Sequence, residues 1–83
     1  MKLAKYVKFR EEKFGGVLFE TRAEKVFTLN PTAALIVREI EAGHNRSEIA
    51  ENLAVRFDGD AAAIDQELSA FLADLRGKGL TED

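Results

Sequence analysis

The first third of the chain follows the alternating pattern of β-strands. Apolar and basic side chains alternate over about residues 6–10, which predicts a half-buried strand. Glu11-Glu12-Lys13 is polar and either continues this strand or turns it. Gly15-Gly16 interrupts this pattern, and an apolar run then predicts a second strand over about residues 16–21. After a short polar connection, Lys25–Leu29 forms the third predicted strand. Short connections between three short strands favour an antiparallel meander.

The remaining two thirds of the chain repeats apolar residues at helical spacing. The period predicts three helices, over about residues 31–42, 46–57 and 61–77. In the second helix, Ile49, Leu53 and Phe57 follow one another at intervals of four residues and are expected to share one face. Beyond the third helix, Leu80 is expected to pack back on the core.

Capping signals mark where these helices begin. Asn30-Pro31 combines a side-chain cap with a residue suited to the first helical position. Asn45 and Glu48 have the spacing of a capping box. Asp60 stands where the third helix needs its N-cap.

These patterns together predict an α+β fold in the order βββααα, with a three-stranded antiparallel sheet followed by a three-helix bundle. A short glycine-containing turn joins the last two helices, as in a helix-turn-helix, so the architecture is winged-helix-like. Because the chain has 83 residues, we expect a single domain over residues 1–83.

The composition argues against most enzyme chemistry. The sequence has no cysteine and one histidine, which excludes disulfides, thiolate zinc sites and cysteine nucleophiles. No carboxylates cluster with the spacing of metal ligands, and no glycine-rich phosphate loop is present. We therefore expect a binding module that is not an enzyme and has no metal or cofactor. No apolar run approaches the roughly 18–20 residues of a membrane span and no signal peptide is evident, so we expect a cytoplasmic protein without a membrane partner.

The polar residues that could carry chemistry are expected at the surface. Glu48 with Glu51, and Asp65 with Glu67, could act as acid–base pairs only if a pocket desolvated them. They fall on the polar faces of amphipathic helices, where solvated side chains are the expectation. His44 falls in the turn after the first predicted helix and is expected to be a surface turn residue.

The charge distribution bears on a second function. Residues 1–25 carry seven basic and four acidic side chains, a balance of +3, and residues 26–83 carry five basic and eleven acidic ones, a balance of −6. DNA phosphates would repel a recognition helix that exposes Asp60, Asp65 and Asp74. The winged-helix-like architecture makes a DNA-binding regulator the alternative function. Because of the acidic helix, we expect no nucleic-acid partner.

The free edge of the third predicted strand is the most concrete binding feature. In a three-stranded meander the first and third strands form the edges, and the third is short and runs directly into Asn30-Pro31. Its open N–H and C=O groups can accept a strand from another chain. A small oligomerising domain without a peptide ligand is a further alternative, which leaves a homodimer open.

Five segments of the sequence carry a family resemblance: Arg10–Phe19, Val26–Asn30, Ala33–Ile36, Ser47–Leu53 and Phe71–Leu80. Their order and spacing resemble the PqqD family over about residues 6–80. The Phe-Gly pair that follows the glutamate-rich first strand is also similar to mycofactocin-type relatives. No single motif is as sharp as a metal-binding signature, so the order of the segments carries the resemblance.

The resemblance implies a recognition element for ribosomally synthesised and post-translationally modified peptides (a RiPP recognition element). Such a domain binds the leader of a precursor peptide and presents it to a modifying enzyme, often a radical SAM enzyme, and the PqqD type serves pyrroloquinoline quinone (PQQ) biosynthesis. In the family the leader adds to the third strand and lies against the third helix. The peptide-binding residues expected here are Lys25, Val26, Phe27, Thr28, Leu29, Leu68, Leu72 and Leu75. The choice among a PQQ, mycofactocin-like or other pathway stays open at this point.

Overall fold

The computed structural model describes residues 1–82, and Asp83, the last residue of the predicted domain, lies outside the described residues. Over residues 1–82 the strands are β1 (Lys2–Leu3), β2 (Val7–Glu12), β3 (Gly15–Glu20), β4 (Lys25–Leu29) and β5 (Thr81–Glu82). The helices of the same part of the chain are α1 (Pro31–Glu41), α2 (Arg46–Phe57) and α3 (Ala61–Gly77). The predicted α+β fold, a three-stranded antiparallel sheet followed by three helices, is confirmed.

The first hairpin takes one of the two alternatives that the sequence left open after Arg10. Strand β2 continues through Glu11 and Glu12, which pair with Gly16 and Gly15 of β3. The alternation of apolar side chains ends before these residues, whereas backbone pairing continues because it does not depend on side-chain polarity. The hairpin turn therefore consists of Lys13 and Phe14.

The main sheet has the strand order β2-β3-β4, with every pair antiparallel. Phe9, Leu18 and Phe27 are aligned across the three strands and pack against the helical core. On the other face, Phe19 and Val26 are cross-strand partners; Val26 is exposed and Phe19 is half-buried beneath the Arg10 guanidinium. The sheet thus covers the helices with one face and keeps an open outer face.

Each helix begins at the cap that the sequence predicts. The Asn30 side chain accepts a hydrogen bond from the Ala33 N–H at 2.8 Å. Asn45 and Glu48 form the complete capping box, with each side chain accepting from the other residue's N–H at 2.9 and 2.8 Å. Asp60 is the N-cap of α3. No helix within residues 1–82 is long and apolar enough to cross a membrane.

The buried part of the α2 face ends before the last residue of the helix. Ile49 and Leu53 are buried, whereas Phe57, on the same face, is 48% exposed. Phe57 is the last residue of α2, and Asp58 then turns the chain in the left-handed conformation with φ +38°. Phe57 therefore lies at the boundary between the covered face of α2 and the turn that follows it.

The two chain ends close the fold in a way that the sequence pattern does not predict. Strands β1 and β5 pair antiparallel, and the Lys2 ammonium lies 3.6 Å from the Glu82 carboxylate. The Tyr6 hydroxyl donates to the Gly79 carbonyl at 2.7 Å, and Leu80 is buried in the core as predicted. Two-residue strands are too short to produce a periodic pattern, which is why the sequence gives no sign of this pair.

A buried carboxylate holds the turn that leads into β4. Glu20, at the end of β3, is only 6% exposed. Its two oxygens accept the N–H groups of Arg22 at 3.0 Å and Ala23 at 2.8 Å. Because both charge-assisted bonds are to backbone groups of the turn, Glu20 fixes the path by which β4 returns beside β3.

The first residue of β3 comes very close to the end of β4. Gly15 has φ +142°, a conformation that L side chains rarely adopt. A Cβ at this position would lie 2.1 Å from the Leu29 carbonyl oxygen. Only glycine therefore allows the close approach that positions the junction between β4 and α1.

Gly15→Ala is expected to lower the free energy of unfolding by about 2–4 kcal/mol, because it combines a backbone clash with an unfavourable φ. Gly77→Ala is the matched control: a Cβ there meets no described atom within 4 Å, and alanine should stabilise the helix end by up to about 1 kcal/mol. Urea unfolding followed by circular dichroism measures both variants. An unchanged midpoint for Gly15→Ala would contradict the close approach.

Candidate functional site

The free edge of β4 borders an open groove. Within residues 1–82, β4 pairs with β3 alone, so the N–H and C=O groups of its other edge have no strand partner. Val26–Leu29 of β4 form one wall of a cavity of about 470 Å³. The opposite wall comes from Phe71, Asp74 and Lys78 of α3, and Ala33 of α1 closes one end.

The floor of the groove is the hydrophobic core itself. Leu18, Leu75 and Leu80 line the cavity and are almost completely buried. Above them, the rings of Phe27 and Phe71 are half-buried and pack against the core. An apolar side chain that entered this groove would replace water over both rings, which favours binding by about 25 cal/mol for each Å² of apolar surface removed from water.

Two opposite charges at the rim of the groove neutralise each other. The Lys78 ammonium lies 2.8 Å from an Asp74 carboxylate oxygen, one helical turn earlier on α3. The same ammonium lies 5.3 Å from the centroid of the Phe27 ring. Since the two charges offset each other, the groove offers an apolar surface and a backbone edge, and this ion pair adds no net charge.

Most of the residues predicted for peptide binding come together at this groove. Val26, Phe27, Thr28 and Leu29 line it, and so does Leu75. Lys25 lies in the same strand but outside the lining.

Leu68 and Leu72 are placed differently from the expectation. They are 0% and 6% exposed and belong to the core, and neither lines the groove. The physical reason is the width of the apolar stripe on α3: its centre faces the other helices, and only one margin faces β4.

The residues of α3 that line the groove are Phe71, Asp74, Leu75 and Lys78. The sequence prediction named Leu75 alone among them. Their spacing of i, i+3, i+4 and i+7 is that of one helical face. One signal in the sequence could have indicated this face. Phe71 lies at the margin of the apolar stripe, and the oppositely charged Asp74 and Lys78 follow one and two helical turns later.

The other polar clusters hold the helices together. His44 Nδ1 lies 2.9 Å from a Glu39 carboxylate oxygen, and Asn52 of α2 donates to the same carboxylate. Arg46 of α2 donates to Asp65 of α3 at 2.8 Å. Within the part of the chain that the structure describes, no group of three or more histidine, cysteine, aspartate or glutamate side chains could hold a metal ion.

Two solved structures are similar to this chain over nearly its whole length. "TbiB1 in Complex with the TbiA(beta) Leader Peptide" has a TM-score of 0.91 and 23% sequence identity, with 100% of both chains covered. "Lasso peptide synthetase B1 complexed with the leader peptide" has a TM-score of 0.88 and 24% identity, with 99% of this chain and 96% of that chain covered. At these identities the likeness shows a shared fold. No curated protein has a significantly matching sequence.

The sequence itself matches a family model. Residues 15–80 match PqqD, which is described as Coenzyme PQQ synthesis protein D. The match begins at β3 and ends at Leu80, so it includes β4, the three helices and every wall of the groove. Since the match covers well over half of the sequence, the chain belongs to the PqqD family.

Proposed function

We propose that this chain binds the leader of a ribosomally synthesised precursor peptide and presents it to a modifying enzyme. The leader adds as a strand to the free edge of β4 and places alternate side chains in the groove below α3. The observation that carries the proposal is the open backbone edge directly beside an apolar groove. The chain performs no chemistry of its own and needs neither metal nor cofactor.

The comparisons support the ligand class. Both similar structures are titled as complexes with a leader peptide, and they share the fold of this chain almost from end to end. A peptide bound by strand addition needs no conserved side chain on the acceptor strand, because the backbone supplies the pairing. Leader binding can therefore persist at an identity of 23–24%.

The geometry of β4 predicts which residues of a bound leader face the groove. Phe27 and Leu29 lie on the inner side of β4, whereas Val26 and Thr28 lie on the outer side. Every second residue of an added strand would face inward between β4 and Phe71, and the residues between would face outward beside Val26. We therefore expect leaders with large apolar residues at two alternate positions, each contributing about 1.5–3 kcal/mol when fully buried.

The proposal also includes a pathway, PQQ biosynthesis, and a partner enzyme. The family description supports PQQ biosynthesis. The partner enzyme that the family resemblance implies is a radical SAM enzyme. One similar structure is titled as a lasso peptide synthetase, which makes a lasso-type precursor the competing assignment. Because ribosomal precursors are made in the cytosol, we place the chain there. Reconstitution with the precursor and the enzyme encoded beside this chain discriminates between the two assignments.

Peptide binding can be tested without knowing the natural precursor. Random peptides of about twelve residues, displayed on phage and selected on the immobilised chain, provide probes that exceed a five-residue strand. Calorimetry with synthetic copies should show that Phe71→Ala weakens binding at least about tenfold, since half of the groove's aromatic surface is lost. Val55→Ala removes an 85% exposed apolar side chain outside the groove and should leave the affinity unchanged.

The backbone contribution is tested on the peptide, so that the fold is not disturbed. N-methylation at successive peptide residues should weaken binding at alternate positions only, because every second N–H of an added strand points toward β4. Equal affinity for all methylated peptides would show that the ligand does not pair as a strand. Equal loss for Phe71→Ala and Val55→Ala would show that the groove is not the binding site.

Charge should affect how fast an acidic leader associates. The sheet half of the sequence has a balance of +3, and Lys25 has no ion-pair partner within residues 1–82. Lys25→Glu should slow association of an acidic selected peptide a few-fold at low salt and leave dissociation nearly unchanged. Arg56→Glu makes the same change of charge outside the groove and serves as control. Stopped-flow association rates that do not depend on salt would rule out this attraction.

Substitution of the polar residues outside the groove tests the absence of catalysis. His44→Ala should cost under about 0.5 kcal/mol of stability, and Glu48→Gln should keep its capping bond to the Asn45 N–H. Both variants should bind selected peptides with wild-type affinity and support full maturation in the reconstituted system. A folded variant with normal peptide affinity but no maturation would show that the chain contributes a reacting or enzyme-contacting group.

A further inference from the structure

We infer that the peptide site continues beyond β4, along a furrow between α1 and α3, into a second apolar pocket at the end of α2. This inference rests on the proposed function, since the occupant is the same peptide. The second pocket has a volume of about 290 Å³. Its apolar walls are Ile36 of α1, Leu53 and Phe57 of α2, and Ile64 and Leu68 of α3.

The surface between the two pockets is continuous. A shallow cavity of about 200 Å³ lies between α1 and α3. It shares Ala33 and Phe71 with the β4 groove, and it shares Ile36 and Glu67 with the second pocket. A chain that leaves the end of β4 can therefore follow lining residues without interruption as far as Phe57.

The second pocket explains an apolar residue that the fold leaves open. Phe57 is 48% exposed at the end of α2, although Ile49 and Leu53 on the same face are buried. Its ring forms part of the pocket wall, where an inserted apolar side chain would cover it. A pocket of this volume accommodates one large aliphatic or aromatic side chain.

The rim of the second pocket is acidic. Asp60 and Glu67 line it, and none of its lining residues is basic. Glu67 has no hydrogen bond or ion pair within residues 1–82, while Asp60 accepts the Ala62 N–H of its own helix. This contrasts with the β4 groove, where Lys78 neutralises Asp74. The ligand chemistry that fits is a large apolar residue next to a lysine or arginine.

The helix geometry gives the spacing along the peptide. Phe71 and Ile64 are seven positions apart on α3, which is about 10 Å along a helix axis. An extended peptide covers this distance in about three residues. The apolar–basic pair should therefore lie about three or four residues from the segment that pairs with β4.

The direction of the strand decides which end of the peptide enters the furrow. The sheet is antiparallel throughout, and an added strand that continues this pattern runs opposite to β4. Its N-terminal end then lies beside Leu29 and Asn30, where the furrow begins. The extension should consist of the residues that precede the pairing segment.

The experiment uses the phage-selected peptides of about twelve residues, each synthesised in full and shortened by four residues from either end. Ala63 is exposed and lines the second pocket, so Ala63→Arg fills the pocket from a surface position and replaces no core side chain. Ala62 is its exposed neighbour outside the lining, and Ala62→Arg is the matched control. Glu67→Lys reverses the charge at the rim.

We expect N-terminal shortening to weaken binding to the wild-type chain and to Ala62→Arg about tenfold. Ala63→Arg should bind the full-length peptide about as weakly as the wild type binds the N-terminally shortened peptide. N-terminal shortening should not weaken peptide binding to Ala63→Arg any further. Glu67→Lys should weaken only peptides with a basic residue in the extension. C-terminal shortening should weaken binding by the same factor in Ala63→Arg and in the wild type, because it leaves the extension intact.

The results separate this inference from the proposed function. If shortened and full-length peptides bind the wild type equally well at the β4 edge, the furrow is not a peptide site and the proposed function stands. If Ala63→Arg leaves all peptide affinities unchanged but reduces maturation, the pocket contacts the enzyme and the inference is wrong. If no selected peptide depends on Phe71, the proposed function fails and this inference fails with it.

Discussion

Within residues 1–82, strand β4 hydrogen-bonds to a neighbouring strand along one edge only, and its other edge borders the groove beside α3. The Glu20 carboxylate holds the turn that precedes β4. Gly15 lets the first hairpin approach the end of β4, and the Asn30 cap starts α1 directly after it. An exposed edge is normally a liability for aggregation, so the precise support given to this one is consistent with an edge kept for a ligand.

The groove and the core are made of the same side chains. Leu18, Leu75 and Leu80 form the floor of the groove and are among the most deeply buried residues of the protein. The shape of the groove therefore depends on the stability of the whole fold, including the hydrogen bond from Tyr6 to Gly79 that closes the chain ends. Substitutions that report on binding alone must use the half-buried wall, above all Phe71.

Several polar side chains of the molecule make contacts that hold the helices together. His44 and Asn52 both bind the Glu39 carboxylate and so join the end of α1 to α2, while Arg46 joins α2 to α3. Glu67, at the rim of the second pocket, has no such partner within residues 1–82. In the proposed complex, backbone pairing and apolar burial supply affinity, and the few unpartnered charges supply selectivity.

The sequence by itself determined the order and the starting points of the elements. Period-two alternation and helical spacing are local properties, and the caps at Asn30, Asn45 and Asp60 act within one helical turn, so these features can be read without knowing the fold. The open edge of the third predicted strand followed from strand order alone. Only the tertiary structure decided which margin of the α3 stripe faces β4, that Phe57 stays uncovered, and that β1 meets β5. These outcomes depend on where neighbouring elements end in space, and periodicity along one element contains no information about its neighbours.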